Sequence, residues 1–306
     1  MHNTNHLNSL LIIVSAITAW NLPFELFLFS YAVLGPLHYF TEISWLHDRN
    51  YYCNIKTQSS LLYIIAILNF ISVIVFNEAS NFLLLMAFCL ALLSTISRSK
   101  RYSLLTCLIL IPIGYWLIHF EAISLIFITL LPTVIHVFVF TFLFMFYGSL
   151  KDKSFSGYTS VVIYLLSIIS ILIIPESNTF KMSQDSLEYI KPFTTLANQI
   201  TTSLNRNIEN DSIIATFRFL AFIYTFHYLN WFIKIKTIGW HKISKLRILL
   251  IILAWMASIS IYFYDFKTGI VLLFFFSVLH VLLEFPLNFI TVREIGRELF
   301  FLRKDK

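Results

Sequence analysis

The stretch LRILLIILAWMASISIYFY, residues 246–264, has one charge near its start, Arg247, and none in the seventeen residues that follow. As an α-helix, such a run rises about 28 Å, close to the roughly 30 Å of hydrocarbon in a bilayer. Runs of this kind recur along nearly the whole of the 306-residue chain. The composition agrees, at 58% hydrophobic and only 12% charged, where soluble domains carry about 25% charged residues. The sequence therefore predicts an all-α fold, a polytopic transmembrane helical bundle.

Working outward from 246–264, ten spans are predicted, at roughly 8–20, 24–46, 60–77, 82–97, 103–119, 122–148, 157–174, 213–234, 246–264 and 268–291. The first and fourth are short, and Asn21-Leu22-Pro23 suits a kink in one broken helix as well as a link. Residues 1–306 read as a single transmembrane domain. Its one long polar link, 175–212, is rich in Ser, Thr and Asn and able to hold an amphipathic helix at the surface. No internal repeat is visible, so a transporter built from duplicated halves gains no support. No segment has the profile of a separate cleavable signal.

Charge sets the expected orientation, because short cytoplasmic loops are enriched in Lys and Arg. Of the 22 such residues, 17 fall in every second link or in the C-terminal tail, among them Arg98, Lys100 and Arg101, Lys151 and Lys153, and Lys242 and Lys245. With ten spans this places both termini in the cytoplasm and the 175–212 loop on the extracytoplasmic side. The net charge of +6 is then a topology signal with anionic-lipid contact, not a nucleic-acid footprint. Cys53, Cys89 and Cys107 show no CxxC spacing and suggest neither a disulfide framework nor a thiolate metal site.

Five of the nine histidines, His2, His6, His47, His119 and His241, lie in the tail or at helix ends and read as interfacial. The other four, His38, His136, His227 and His280, lie inside apolar runs. Their spans are all expected to run from outside to inside, and their depths agree within about 8 Å. Ionisable groups inside a membrane are costly and usually face a protein interior with a function. Four imidazoles at one level can converge on one ion. Neutral imidazole suits iron, copper, zinc or nickel, and coordination offsets the burial of polar nitrogen. The competing expectation is that each histidine hydrogen-bonds a neighbouring helix separately.

In GPLHYFTEISWLHDRN, residues 35–50, His38 and Glu42 are four apart and share a helix face. The spacing returns in LHVLLEFPLN, residues 279–288, with His280 and Glu284. Metal-bound histidine commonly donates its second N–H to a carboxylate. Glu42 and Glu284 are candidates for that role or for ligation itself, and spacing does not say whether each serves its own helix's histidine or another's. A competing role for Glu284 is a link to a cation nearer the surface, such as Arg293. In YTFHYLNWFIK, residues 224–234, Asn230 is a candidate for orienting a ligand or a water, and Trp231 for an interfacial anchor. Arg218 is expected to snorkel outward or to pair with Glu25.

In order and rough spacing, GPLHYFTEI (35–43), LPTVIHVFVF (131–140), IYTFHYLNWF (223–232) and SVLHVLLEFPLN (277–288) resemble the histidine segments of a known family. It is the bacterial and archaeal membrane-bound β-carotene 15,15′-dioxygenases of the Brp/Blh type. The resemblance implies a multi-helical iron enzyme that cleaves the central double bond of β-carotene with O₂. It also implies that His38, His136, His227 and His280 are the iron ligands. The departures are specific: Tyr39 and Glu42 stand where the family has Gly and Asp, no acid follows His136, and Trp231 replaces a further histidine.

The function expected is a membrane-embedded non-haem Fe(II) oxygenase acting on an apolar lipid or isoprenoid, with carotenoid cleavage the reaction the resemblance implies. Its partners would be O₂, membrane lipids and an apolar substrate from the bilayer, and its place a bacterial inner membrane. Copper, zinc or haem on the same histidines are alternatives, as is a metal or solute transporter. The 17% aromatic content suits an apolar tunnel for a long substrate.

Overall fold

The computed structural model describes residues 2–76, 80–117, 119–173, 189–203, 210–235, 239–240 and 243–304. Among them every regular element is helical. Helices His2–Asn21, Lys56–Phe76, Asn81–Ile96, Lys100–Leu117, Phe155–Ile173, Asn210–Ile233 and Lys245–Tyr264 fall close to seven of the expected segments. The other three differ. The 24–46 segment is α-helix Pro23–Phe29, a π-helical turn Ser30–Leu34, and α-helix Gly35–His47. The 122–148 segment begins with Glu121–Ser124, winds as a π-helix over Leu125–Phe140, and tightens again in Thr141–Asp152. The last segment runs through Pro286 to the end of helix Phe266–Lys304, well past residue 291.

Among the described residues five helices are long and apolar enough to cross a membrane, Lys56–Phe76, Leu130–Asp152, Phe155–Ile173, Lys245–Tyr264 and Phe266–Phe300. A sixth is added if Lys100–Leu117 and Glu121–Phe127, bent by 113°, form one span. The expected count of ten is therefore not reached among the described residues, for identifiable reasons. Asn81–Ile96 has 16 residues and rises only about 24 Å. Gly35–His47 has 13. His2–Asn21 and Asn210–Ile233 are long enough, but polar residues dilute them: Asn5, His6 and Asn8 in one, Arg218, His227 and Asn230 in the other.

The apolar helices present oily outer faces. Leu104, Leu108, Ile111 and Trp116 are exposed along Lys100–Leu117, and Leu246, Leu249, Leu253 and Met256 along Lys245–Tyr264. Stripes of this size are unusual on a protein in water and suit contact with hydrocarbon. Within the polar link, residues 174–188 and 204–209 lie outside the described residues. The expected amphipathic helix is present between them as Thr194–Ser203, which buries Ala197, Ile200 and Thr201 and exposes Thr195, Thr202 and Ser203.

By contact the chain divides into two compact units, 1–38 with 137–267 and 39–136 with 268–306. In the first, helix Asn210–Ile233 is the core, since every residue from Ile214 to Tyr228 is buried. Burial on every face marks an interior helix, and this one is wrapped by His2–Asn21, Pro23–Phe29 and Phe155–Ile173. Phe27 packs edge-on against Phe193, Phe217 and Tyr224. Gly157 permits the tight turn of Thr141–Asp152 into Phe155–Ile173, since a Cβ there would lie 2.6 Å from Ser149 Oγ.

In the second unit, Lys56–Phe76 and Asn81–Ile96 form a helical hairpin. Asn69 Oδ1 accepts from the Ser80 backbone N–H at 2.8 Å at one end. At the other, the Gln58 side-chain amide donates to the Ser97 carbonyl at 3.1 Å. Phe88 sits against Phe285 and Phe289 of the last helix, fixing the segment that carries His280 and Glu284.

Candidate functional site

In the first unit His38 meets His227. Three contacts along the two helices bring them together, each set by a small or polar residue. Ser30 Oγ and Thr225 Oγ1 share a hydrogen bond at 2.5 Å. One turn on, Gly35 lies against Tyr228, where an added Cβ would come within 3.3 Å of the hydroxyl. Next, the Nε2 atoms of His38 and His227 are 3.1 Å apart, with ring centroids at 4.6 Å. The π-helical turn Ser30–Leu34 immediately precedes this contact. Turns of that kind insert an extra residue and are frequent at functional sites.

His227 is anchored on its far side, with Nδ1 2.7 Å from Thr141 Oγ1. With Nδ1–H donating to that hydroxyl, the lone pair of the neutral ring is on Nε2, facing His38. Tyr228 and Trp231 close around His38, at ring centroids 4.8 and 5.6 Å away. Trp231, expected as an interfacial anchor, is thus a wall of the histidine pair. Asn230 is buried one turn past His227, and its Oδ1 has no hydrogen-bond partner among the described residues. Arg218 does not snorkel. It is buried, its Nε donates to the Trp20 carbonyl at 3.0 Å, and its guanidinium lies 4.3 Å over the Trp20 ring.

In the second unit His136 meets His280, at ring centroids 5.0 Å apart. Glu284 Oε2 lies 3.1 Å from His136 Nδ1, so this carboxylate reaches a histidine of another helix. His280 turns its own Nδ1 towards the Phe276 carbonyl, 3.3 Å away. For His280 this favours the tautomer with its lone pair on Nε2, as at His227; the His136–Glu284 contact is close but not aligned as a hydrogen bond. His136 sits within the π-helical stretch Leu125–Phe140. Glu42, like the four histidines and Glu284, is almost fully buried. Arg293 lies 3.4 Å from its neighbour Glu294.

Two residues beside these groups were not singled out from the sequence. Thr141 is one; a threonine in an apolar helix usually bonds its own backbone, so nothing marked it. Asn288 is the other. It is buried, and neither its Oδ1 nor its Nδ2 has a hydrogen-bond partner among the described residues. Its signal was legible, since His280, Glu284 and Asn288 repeat every four residues along one helix face. Comparison with family models, with curated proteins and with solved structures finds no match for this chain.

Proposed function

We propose that the chain is an integral membrane non-haem iron oxygenase acting on an apolar lipid or isoprenoid, with His38, His136, His227 and His280 as metal ligands. The observation that carries this reading is the His38–His227 pair, with Nε2 atoms 3.1 Å apart in a buried setting. Imidazole nitrogens this close are within reach of a single ion, and iron bound by them would supply O₂ chemistry. A bis-imidazole haem would hold its two nitrogens on opposite sides of iron, about 4 Å apart.

Iron bound there would supply the binding and activation of O₂. The chain's own residues do the rest. Thr141 and the Phe276 carbonyl hold Nδ1 protons of His227 and His280, so that two rings present Nε2, and the Glu284 carboxylate stands beside His136 to take up its Nδ1 proton once a metal occupies Nε2. Tyr228 and Trp231 keep water from His38, and a dry wall protects activated oxygen. Glu42, Asn230 and Asn288 are further buried polar residues, each with a side-chain atom that has no hydrogen-bond partner among the described residues, and would orient a bound water or substrate. A bacterial inner membrane and cytoplasmic termini belong to the same proposal, resting on the Lys and Arg distribution.

Metal analysis of the purified protein tests the reading. The wild type is expected to carry iron, and His227→Ala and His280→Ala to lose it. Wild type without a bound transition metal, or variants with a full complement, would overturn it. Expression in cells that accumulate β-carotene then tests the substrate: O₂-dependent bleaching with retinal formation identifies the carotenoid, and iron without bleaching points to another isoprenoid or lipid.

A further inference from the structure

Away from the histidines, the first unit has a cavity of about 190 Å³ where helices His2–Asn21, Thr141–Asp152 and Phe155–Ile173 end near Lys234. At the roughly 30 Å³ that a water occupies in the liquid, the space equals about six waters. That is room for a head group or a small solute and not for an acyl chain. Phe144 and Met145 form one wall, and the polar groups divide by charge. Asn8 is 5% exposed and its Oδ1 has no hydrogen-bond partner among the described residues. Such a buried acceptor costs about 1–3 kcal/mol until something donates to it. Asp152 adds a carboxylate at the rim, and Lys234, half-buried, adds an ammonium. Among the described residues no ion pair joins the two. Asn5 is committed elsewhere, its amide donating to Ser154 and Ser156 at 3.0 and 3.2 Å.

We infer that this cavity binds a small zwitterion of the phosphoethanolamine type, its ammonium on Asn8 Oδ1 and Asp152 and its phosphate on Lys234. Buried acceptor and carboxylate together call for a cation, and the lysine calls for an anion. The location suits a phosphate ester: Asp152 ends one membrane-length helix and Phe155 begins the next, so the cavity opens where such helices leave hydrocarbon. The same group can arrive as a lipid head or as a free solute.

Gly148 offers a clean test, because it lines the cavity and a Cβ built on it meets nothing within 4 Å. Gly148→Leu fills the space without a clash at Cβ, and circular dichroism confirms its helix content. Lys234→Gln and Asp152→Asn each remove one charge near the surface. Purified protein is titrated with phosphoethanolamine, ethanolamine and inorganic phosphate, and native mass spectrometry follows lipid retention from nanodiscs of phosphatidylethanolamine or phosphatidylglycerol. The zwitterion is expected to bind at least about tenfold more tightly than either half, with about tenfold loss in each charge variant and none bound by Gly148→Leu. Retention of phosphatidylethanolamine by the wild type alone identifies the lipid source; binding of the free zwitterion without lipid retention identifies the solute. Failure of the wild type to bind either form, or undiminished binding in Gly148→Leu, overturns the assignment.

Discussion

Glu284 stands 3.1 Å from Nδ1 of His136, and the histidine it reaches belongs to another helix, although His280 lies one turn earlier on its own. The two atoms are close but not aligned as a hydrogen bond; on the proposed reading, with a metal at Nε2, this carboxylate is the acceptor for the Nδ1 proton and raises the ring's basicity. Glu284→Gln keeps the volume and a hydrogen-bonding oxygen but removes the charge. It is expected to weaken iron affinity about 10- to 100-fold, as loss of such partners does elsewhere, with the fold retained. Competition with a calibrated chelator measures it. An unchanged affinity would remove Glu284 from the site.

The second anchor is neutral. Thr141 Oγ1 lies 2.7 Å from His227 Nδ1, and Thr141→Val replaces the hydroxyl with a methyl of similar size. The buried Nδ1–H then has no acceptor there, a cost of about 1–3 kcal/mol. Iron affinity is expected to fall about tenfold or more, while Thr141→Ser, which restores the hydroxyl, should recover most of it. Equal affinities in the two variants would make the contact incidental.

Much of this was legible because hydrocarbon makes polarity conspicuous. His38, His136, His227 and His280 stand out in apolar runs, and the structure buries all four. Helix ends were likewise set by where charge begins. The π-helical stretches at Ser30–Leu34 and Leu125–Phe140 left no sequence mark, since an extra residue per turn is selected by packing such as the Ser30–Thr225 contact. Nor does spacing reveal which histidine a glutamate will reach, because that depends on how helices pack. The span count fell short for a related reason: helix Asn210–Ile233 is long enough to span, but the polar residues it shelters, among them Arg218 and His227, lower its hydropathy.

Arg218 shows what that shelter is worth. Its Nε–H donates to the Trp20 carbonyl and its guanidinium lies over the Trp20 ring. Hydrogen bonds to charged groups contribute about 1.5–3 kcal/mol, and a desolvated cation over an aromatic face about 2 more. Arg218→Leu is therefore expected to lower the thermal unfolding midpoint in detergent by several degrees. Trp20→Leu should give a smaller loss, because the backbone carbonyl survives. An unchanged midpoint in Arg218→Leu would show the contacts to be energetically idle.

Cys53, in the loop before helix Lys56–Phe76, gives a pH-dependent readout. Burial pushes its thiol pKa up, partly opposed by a hydrogen bond involving Ser94. Only the thiolate reacts with alkylating agents, and an ordinary thiol titrates near 8.5. In a variant that keeps Cys53 alone, alkylation should be slower than for a free thiol at pH 8. Its rate should still climb about tenfold per pH unit beyond the point where an ordinary thiol levels off. A plateau near pH 8.5 would show that the thiol is not desolvated.

Asn288 separates structure from function most sharply. Both of its amide atoms are buried without a hydrogen-bond partner among the described residues, two turns along the helix from His280. If the side chain served the fold alone, it would be a poor choice, since an unpaired buried amide costs about 1–3 kcal/mol and leucine offers the same branched skeleton without polar atoms. Asn288→Leu should therefore raise the unfolding midpoint and, on the proposed oxygenase reading, lower O₂-dependent turnover. Stability gained at the expense of activity is the pattern of a polar group retained for the reaction. A variant that is less stable and equally active would instead make Asn288 part of the scaffold.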